Sequence, residues 1–224
     1  MLLWLDNRLK ARYKDRLRLR LSSLDPGLLT ETGLGALSKT QLVCPHLHIS
    51  VQSGSKTILQ SMGRSHYTPE TIQAFVQGLG AVWPKFGLGA DFLTGFPGET
   101  ESAFQETLSL CKRLPFSYGH VFPYSPRPGT RAAQFSNGLD DPVKKERSSR
   151  LRSLLASKRI SFLESLLDLP ALEVVLEQTI PARGVSEYFT TSFFEPEPST
   201  DCQGKRIPAR PIRRVKQGLA VKRL

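Results

Sequence analysis

The feature that most constrains the fold is a repeat of short apolar runs, each closed by a small or polar loop. Four stand out: R-L-R-L-R-L-S-S from Arg16 to Ser23, P-H-L-H-I-S-V-Q-S-G from Pro45 to Gly54, A-D-F-L-T-G-F-P-G-E-T from Ala90 to Thr100, and Y-G-H-V-F-P-Y-S-P-R-P-G-T from Tyr118 to Thr130. Strict alternation marks strands with two unlike faces. The runs begin roughly 30–45 residues apart, the size of a βαβ unit. Helical segments fill the gaps. Ser55 to Met62 reads as a short helix. Thr68, Pro69 and Glu70 supply a cap, a first-turn proline and an acidic first turn for a helix through about Leu79. Thr100 or Ser102 caps the next helix, where Phe104, Leu108 and Cys111 share a face. Alternating strands and helices predict an α/β fold with a parallel sheet, open or closed into a barrel.

Asp141 and Pro142 then start a long helix to about Leu169, basic on its exposed side. After Pro170 the texture changes. L-E-V-V-L-E, Y-F-T-T-S-F-F, R-I-P-A-R-P-I and L-A-V-K are short β-like runs separated by Gly and Pro. Such a pattern predicts a small β-barrel of about 55 residues. The expected division is 1–169 and 170–224.

Charge is unevenly spread. The net value is +11, and residues 203–224 carry eight Lys/Arg and no acid. Residues 1–20 carry seven Lys/Arg against two acids. Charge gathered at one end of a chain suits a polyanion partner, although a solvated basic tail has the same composition. Nothing approaches the roughly 20 apolar residues of a membrane span, and the first residues lack a signal-peptide layout. The three cysteines, Cys44, Cys111 and Cys202, form no pair or framework, so a reducing cytoplasm is the expected home.

Ligands of parallel α/β folds sit at the C-terminal ends of the strands. Those ends carry Ser22 and Ser23, then Gln52, Ser53 and Gly54, then Gly95 to Glu99, and finally Arg127 to Thr130. Hydroxyls, an amide, a carboxylate, an arginine and glycines that admit a ligand to the backbone suit a polar cofactor with ribose and amino-acid parts. On the second strand Cys44, His46, His48, Ser50 and Gln52 share one face, and Leu47, Ile49 and Val51 the other. Three in-line side chains seldom converge on one ion, so a polar barrel lumen is preferred over a metal site and no metal is expected. Arg16, Arg18 and Arg20 belong either to that lumen or to a solvated edge, with Arg20, next to the serines, the best placed for the lumen. For Asp91 and Glu99, hydrogen bonding to a ribose or within the structure is preferred over acid–base catalysis.

R-L-S-S-L-D-P, H-L-H-I-S-V-Q-S-G-S with S-M-G-R and Y-T, A-D-F-L-T-G-F-P-G-E-T, and H-V-F-P-Y-S-P-R-P-G-T-R-A together resemble the radical-SAM methylthiotransferases. The last motif looks most like the branch acting on threonylcarbamoyladenosine at position 37 of tRNA. The resemblance covers about Leu17 to Leu169. It implies four β/α units of a partial (β/α)6 barrel, followed by a basic tail similar to the family's RNA-binding TRAM domain. It also implies that the G-F-P-G-E-T loop helps hold S-adenosylmethionine. Carried onto this chain, the cofactor wall is Ser22, Ser23, Gln52, Ser53, Asp91, Gly95 and Arg127. The RNA grip is Lys205, Arg206, Arg210, Arg213, Arg214 and Lys216.

The chain departs from the family pattern where the chemistry begins. The family's C-x-x-x-C-x-x-C loop, which holds a radical-generating 4Fe-4S cluster, is absent, and so are the three cysteines of a second cluster. A predicted helix, L-L-W-L-D-N-R-L, leads instead into what resembles the family's third strand. A cubane cluster needs thiolates gathered at one site, which Cys44, Cys111 and Cys202 are not expected to provide. The resemblance implies an enzyme that cleaves S-adenosylmethionine reductively and adds a methylthio group to C2 of the modified adenosine. Three readings follow for this chain. It is the carboxy-terminal part of such an enzyme, inactive alone. It is one half of a split enzyme, with a cluster-bearing amino-terminal partner. Or it is a catalytically silent RNA-binding module. A barrel lacking two strands exposes two edges and is expected to be marginally stable alone.

Overall fold

The computed structural model describes residues 1–199 and 202–224. Four parallel strands form the first sheet, in the spatial order β1 (Leu19–Leu24), β2 (Val43–Gln52), β3 (Gly87–Thr94) and β4 (Tyr118–Pro123). Chain order and spatial order coincide, so every connection is a crossover between neighbours. The connections carry α2 (Glu31–Leu37), α3 (Lys56–Ser61), α4 (Pro69–Val82) and α5 (Glu101–Arg113), with α1 (Leu2–Tyr13) before the sheet and α6 (Asp141–Ser165) after it.

The two faces of the sheet follow from the period of two. On one face Leu47, Ile49 and Val51 of β2, and Leu88, Ala90 and Phe92 of β3, are almost fully enclosed. They pack in one core with Ile72 and Leu79 of α4, Phe104 and Cys111 of α5, and Leu151 and Leu155 of α6. Each such Val, Leu, Ile or Phe side chain contributes about 1.5–3 kcal/mol on burial. All the large helices therefore serve one face, and the opposite face keeps polar side chains.

Capping explains where the helices start. Thr68 accepts the Thr71 N–H and Thr71 reciprocates, with Pro69 at the first helical position. Thr100 caps α5 by accepting the Ala103 N–H. Helix α1 is tied down by Asp6, whose buried carboxylate accepts the N–H groups of Gln41 and Leu42 at 3.1 and 2.9 Å, just before β2.

Boundaries differ from the sequence expectation in instructive ways. A 3-10 turn over Lys14–Arg16 delays β1 to Leu19. β4 stops at Pro123, opposite Thr94, because β3 itself ends there and turns at Gly95, leaving nothing further to pair. Helix α6 ends at Ser165, a few residues early. Two elements had no expectation at all: α2, capped by Thr30, and β6.

The carboxy-terminal strands are β5 (Leu172–Thr179), β6 (Ala182–Ser186), β7 (Thr191–Phe194), β8 (Arg206–Val215) and β9 (Gly218–Arg223). They close into a five-stranded barrel in the order β5-β6-β7-β9-β8. Leu172, Val174, Leu176, Ile207, Ala209, Leu219 and Val221 fill it, with Leu163 and Leu166 from the end of α6 joining the same core. The barrel also touches the polar face of the first sheet. Arg18 pairs with Glu173 at 2.8 Å, and Arg20 donates to the Ser186 carbonyl at 3.0 Å. A Cβ on Gly87 would lie 2.5 Å from the Tyr188 carbonyl oxygen, so glycine at the start of β3 is what permits this approach. No helix among the described residues is long and apolar enough to cross a membrane.

Candidate cofactor and nucleic-acid sites

Three neighbouring strands end alike. Ser23, Gln52 and Gly95 all adopt positive φ, of 55, 61 and 72°. Glycine takes this conformation freely, whereas for serine and glutamine it costs about 1 kcal/mol. Backbone strain of this kind clusters at ligand sites. Beside it lies a cavity of about 370 Å³, lined by Gln52, Met62, Arg64, Leu93, Phe96 and Arg131 among others. Its size is within the ordinary range for small-ligand sites.

The expected cofactor residues divide. Gln52 lines this cavity. Ser22 and Ser23 are exposed at the end of β1, and Arg127 is exposed in the loop after β4. Ser53 is fully enclosed; its hydroxyl lies 3.2 Å from that of Thr107, and Thr107 also receives the Gly54 N–H. Gly95 lies under Lys144, whose Cγ would stand 2.2 Å from an added Cβ. Asp91 sits farther back, on the polar face of β3. Sequence reasoning missed Phe96 and Arg131, although both lie within the quoted motifs.

Glu99 shapes the loop after β3. Its carboxylate accepts the Gly95 N–H at 2.8 Å and an Arg147 N–H at 2.8 Å, and Arg147 also reaches the Glu99 carbonyl at 2.7 Å. Both side chains are nearly sealed, with 1% and 6% exposed. Burial pushes the Glu99 carboxyl up, while Arg147 and the Gly95 amide oppose it. Glu99 Oε1 and Arg147 Nε have no protein partner. Held this way, Glu99 is a structural clamp rather than an acid–base group paired with Asp91.

The polar face of the sheet carries a chain of hydrogen bonds. His46 Nε2 and His48 Nδ1 lie 3.0 and 2.9 Å from the Tyr118 hydroxyl. His48 Nε2 and His120 Nδ1 lie 3.0 and 3.1 Å from Asp91 Oδ1. Burial, with Arg20 and His48 adding to it, pushes His46 down to about 3, so that ring is neutral. Burial holds the Tyr118 hydroxyl up at about 12. His46 Nδ1 is buried without a partner. An unpaired acceptor is tolerated better than an unpaired donor, which places the His46 proton on Nε2. The chain then runs from His46 through Tyr118 to His48 and on to Asp91, with His120 donating from the other side. The in-line trio Cys44, His46 and His48 does not gather. The one three-ligand group among the described residues is His48, Asp91 and His120, drawn from three strands. Its sequence signal is H-x-H, Asp and His at same-face positions of successive strands.

Cysteines offer no cluster site. Cys44 is on β2, Cys111 on α5 and Cys202 against the barrel core, all three buried. Burial raises the Cys44 thiol and pushes that of Cys111 up to about 12, the reverse of what thiolate ligands need. These residues do not fit a 4Fe-4S cluster.

On the barrel, charge pairing thins the expected RNA grip. Arg206 pairs with Glu173 at 2.9 Å, Arg213 with Glu195 at 2.8 Å and Arg214 with Glu164 at 3.5 Å. Lys205, Arg210 and Lys216 are exposed.

No protein-family profile matches the chain. It is 41% identical over 135 residues to a threonylcarbamoyladenosine tRNA methylthiotransferase of Thermotoga maritima, covering 60% of this chain and 31% of that protein. It is 40% identical over 145 residues to a tRNA-2-methylthio-N(6)-dimethylallyladenosine synthase of Zymomonas mobilis, covering 65% of this chain and 32% of that protein. The chain thus spans about a third of the length of the curated relatives it matches. Among solved structures it is similar to the coproporphyrinogen III oxidase of Escherichia coli, a radical SAM enzyme, with a TM-score of 0.53 and 16% identity, covering 92% of this chain and 50% of that one. The similarity to methylthiotransferases expected from the four motifs is borne out, as is the α/β fold.

Proposed function

We propose that this chain, kin in sequence to the tRNA methylthiotransferases, is the carboxy-terminal part of such an enzyme. On this reading residues 1–169 are four β/α units of a partial (β/α)6 barrel, and residues 170–224 are a TRAM-like RNA-binding domain. The substrate is the adenosine at position 37 of tRNA in its threonylcarbamoylated form, on which a methylthio group is installed at C2. That nucleoside is the one named for the Thermotoga relative, whereas the Zymomonas relative is named for dimethylallyladenosine.

The observation that carries the proposal is the row of left-handed strand ends at Ser23, Gln52 and Gly95 beside the cavity after β2 and β3. S-adenosylmethionine bound there would supply the adenosyl and methyl groups of the family's chemistry. The chain's own contribution is positional. Gln52 offers an amide to ribose hydroxyls, and Phe96, packed against Tyr124 and Phe135, gives the cavity an apolar wall. The Glu99–Arg147 clamp holds the 95–99 loop in register, and Arg210 and Lys216 meet phosphates.

With no fit for a 4Fe-4S cluster, the electron donor comes from another part of the protein or from a cluster-bearing partner chain. The chain alone is therefore inactive. Calorimetric titration of S-adenosylmethionine into the purified chain, compared with Gln52→Ala, tests the cofactor site. Saturable binding weakened by Gln52→Ala is expected, and binding unaffected by Gln52→Ala overturns the placement. Formation of 5′-deoxyadenosine by the chain alone overturns the assignment of inactivity.

A further inference from the structure

We propose that His48, Asp91 and His120 form a divalent transition-metal site on the open polar face of the sheet. Two histidines and one carboxylate, with other positions left free, are the ligand set of facial metal sites. The spacing suits an ion. Ligand atoms held about 2.1 Å from a metal at right angles are about 3.0 Å apart. His48 Nε2 and His120 Nδ1 stand 3.0 and 3.1 Å from Asp91 Oδ1, and all three ligand atoms lie within 4.8 Å of one another.

The parallel register builds the site. Asp91 pairs with His120 across β3 and β4, and His48 pairs with Gly89 across β2 and β3. His48 is 8% exposed, Asp91 22% and His120 58%, so the group opens outward at His120. Free positions on the ion would face that side, where water or an oxygen or nitrogen ligand can reach them.

An outer shell is already in place. Metal-bound histidines nearly always donate their second ring N–H to a fixed acceptor. The Tyr118 oxygen lies 2.9 Å from His48 Nδ1, and Tyr118 is itself held by His46 and by the ring of Phe189 at 5.5 Å. Loading takes the proton off His48 Nε2 and off His120 Nδ1, and neutral His120 then carries its proton on Nε2. His48 then donates from Nδ1 to Tyr118, Tyr118 donates to His46 Nε2, and His46 carries its proton on Nδ1. The three groups reverse direction with no net gain or loss of protons. The cost is one buried N–H without a partner at His46.

The probe is Co²⁺ alone, titrated into the chelator-stripped 224-residue chain and read by its visible absorption. One ion per chain is expected. The chain has four histidines, so binding is easily assigned. Asp91→Asn and the surface change His120→Ala should each weaken binding roughly tenfold or more. His66→Ala, which removes the separate His66–Asp25 pair, should leave it unchanged. Loading should also move the His46 ring ¹⁵N resonances, although His46 is not a ligand. No saturable binding, or binding that survives His120→Ala, overturns the site. Neither outcome depends on whether S-adenosylmethionine binds.

Discussion

Replacing Arg147 by methionine is the sharpest test of how the 95–99 loop is held. Among the described residues Arg147 is the only guanidinium on Glu99, through two bonds of 2.7 and 2.8 Å, and Glu99 is 1% exposed. Removing it leaves a buried carboxylate with one remaining donor, the Gly95 N–H. Breaking a buried pair from one side costs about 3–5 kcal/mol. For a chain of this size that lowers Tm by on the order of 10 °C. The loss must depend on pH. Burial already raises the Glu99 carboxyl in the intact protein. Without Arg147 it rises further, so the folded state holds a proton that the unfolded chain releases. The variant is then penalised most near neutrality and least below the unfolded carboxyl value of 4.5. Urea denaturation at pH 5 and pH 7.5, followed by circular dichroism, measures both effects. Glu99→Gln in the same background should recover much of the loss at pH 7.5. A cost below about 1 kcal/mol, independent of pH, would refute the claim that this pair organises the loop.

Other consequences follow from single residues. Burial lifts Glu187 to about 7 from 4.5, so the folded state keeps a proton there that the unfolded state gives up. Stability should fall as pH rises from about 4.5 to about 7 and then level off, by on the order of 3 kcal/mol; Glu187→Gln should flatten this slope in urea melts across that range. Gly95→Ala forces φ of 72° on a residue with a Cβ and displaces Lys144, and should cost about 1 kcal/mol or more by the same assay. In tRNA binding, Arg210→Ala and Lys216→Ala should each lower the salt slope by about one. Arg213→Ala, which removes a cation already paired with Glu195, should lower it less; equal effects would refute the role given to pairing.

Strands, helices and their alternation were legible because each is written in a local period. Leu47, Ile49 and Val51 alternate with His46, His48 and Ser50, and the structure buries the first set under the helices. Partners distant in the chain were not legible. Ser53 reads as a ligand group at a strand end, yet Thr107 on α5 engages its hydroxyl. The run of arginines on β8 reads as free charge, yet Glu173, Glu195 and Glu164 neutralise three of them. His48, Asp91 and His120 come from three strands, and only the register of the parallel sheet brings them together. A single strand showed the histidines but not their partners, because same-face neighbours of adjacent strands stand closer together than in-line neighbours of one strand.

The barrel gives the polar face a direction. Tyr188 and Phe189, in the turn between β6 and β7, lie over the start of the sheet. The Tyr188 carbonyl closes on Gly87, the first residue of β3, and Phe189 rests on His46 and Tyr118, with Arg20 over its ring at 4.8 Å. Exposure rises along β4 from this contact: Tyr118 is half-buried, while His120 and Phe122 are open. A molecule approaching this face therefore meets it from the C-terminal ends of the strands, past Phe122 and His120. The strained backbone of Ser23 and Gln52, the Glu99-held loop and the 370 Å³ cavity all lie at that same end. Because Arg20, Glu187 and Phe189 fix the plug at the other end, a change that loosens it should act on the proposed metal site through Tyr118, without touching a ligand.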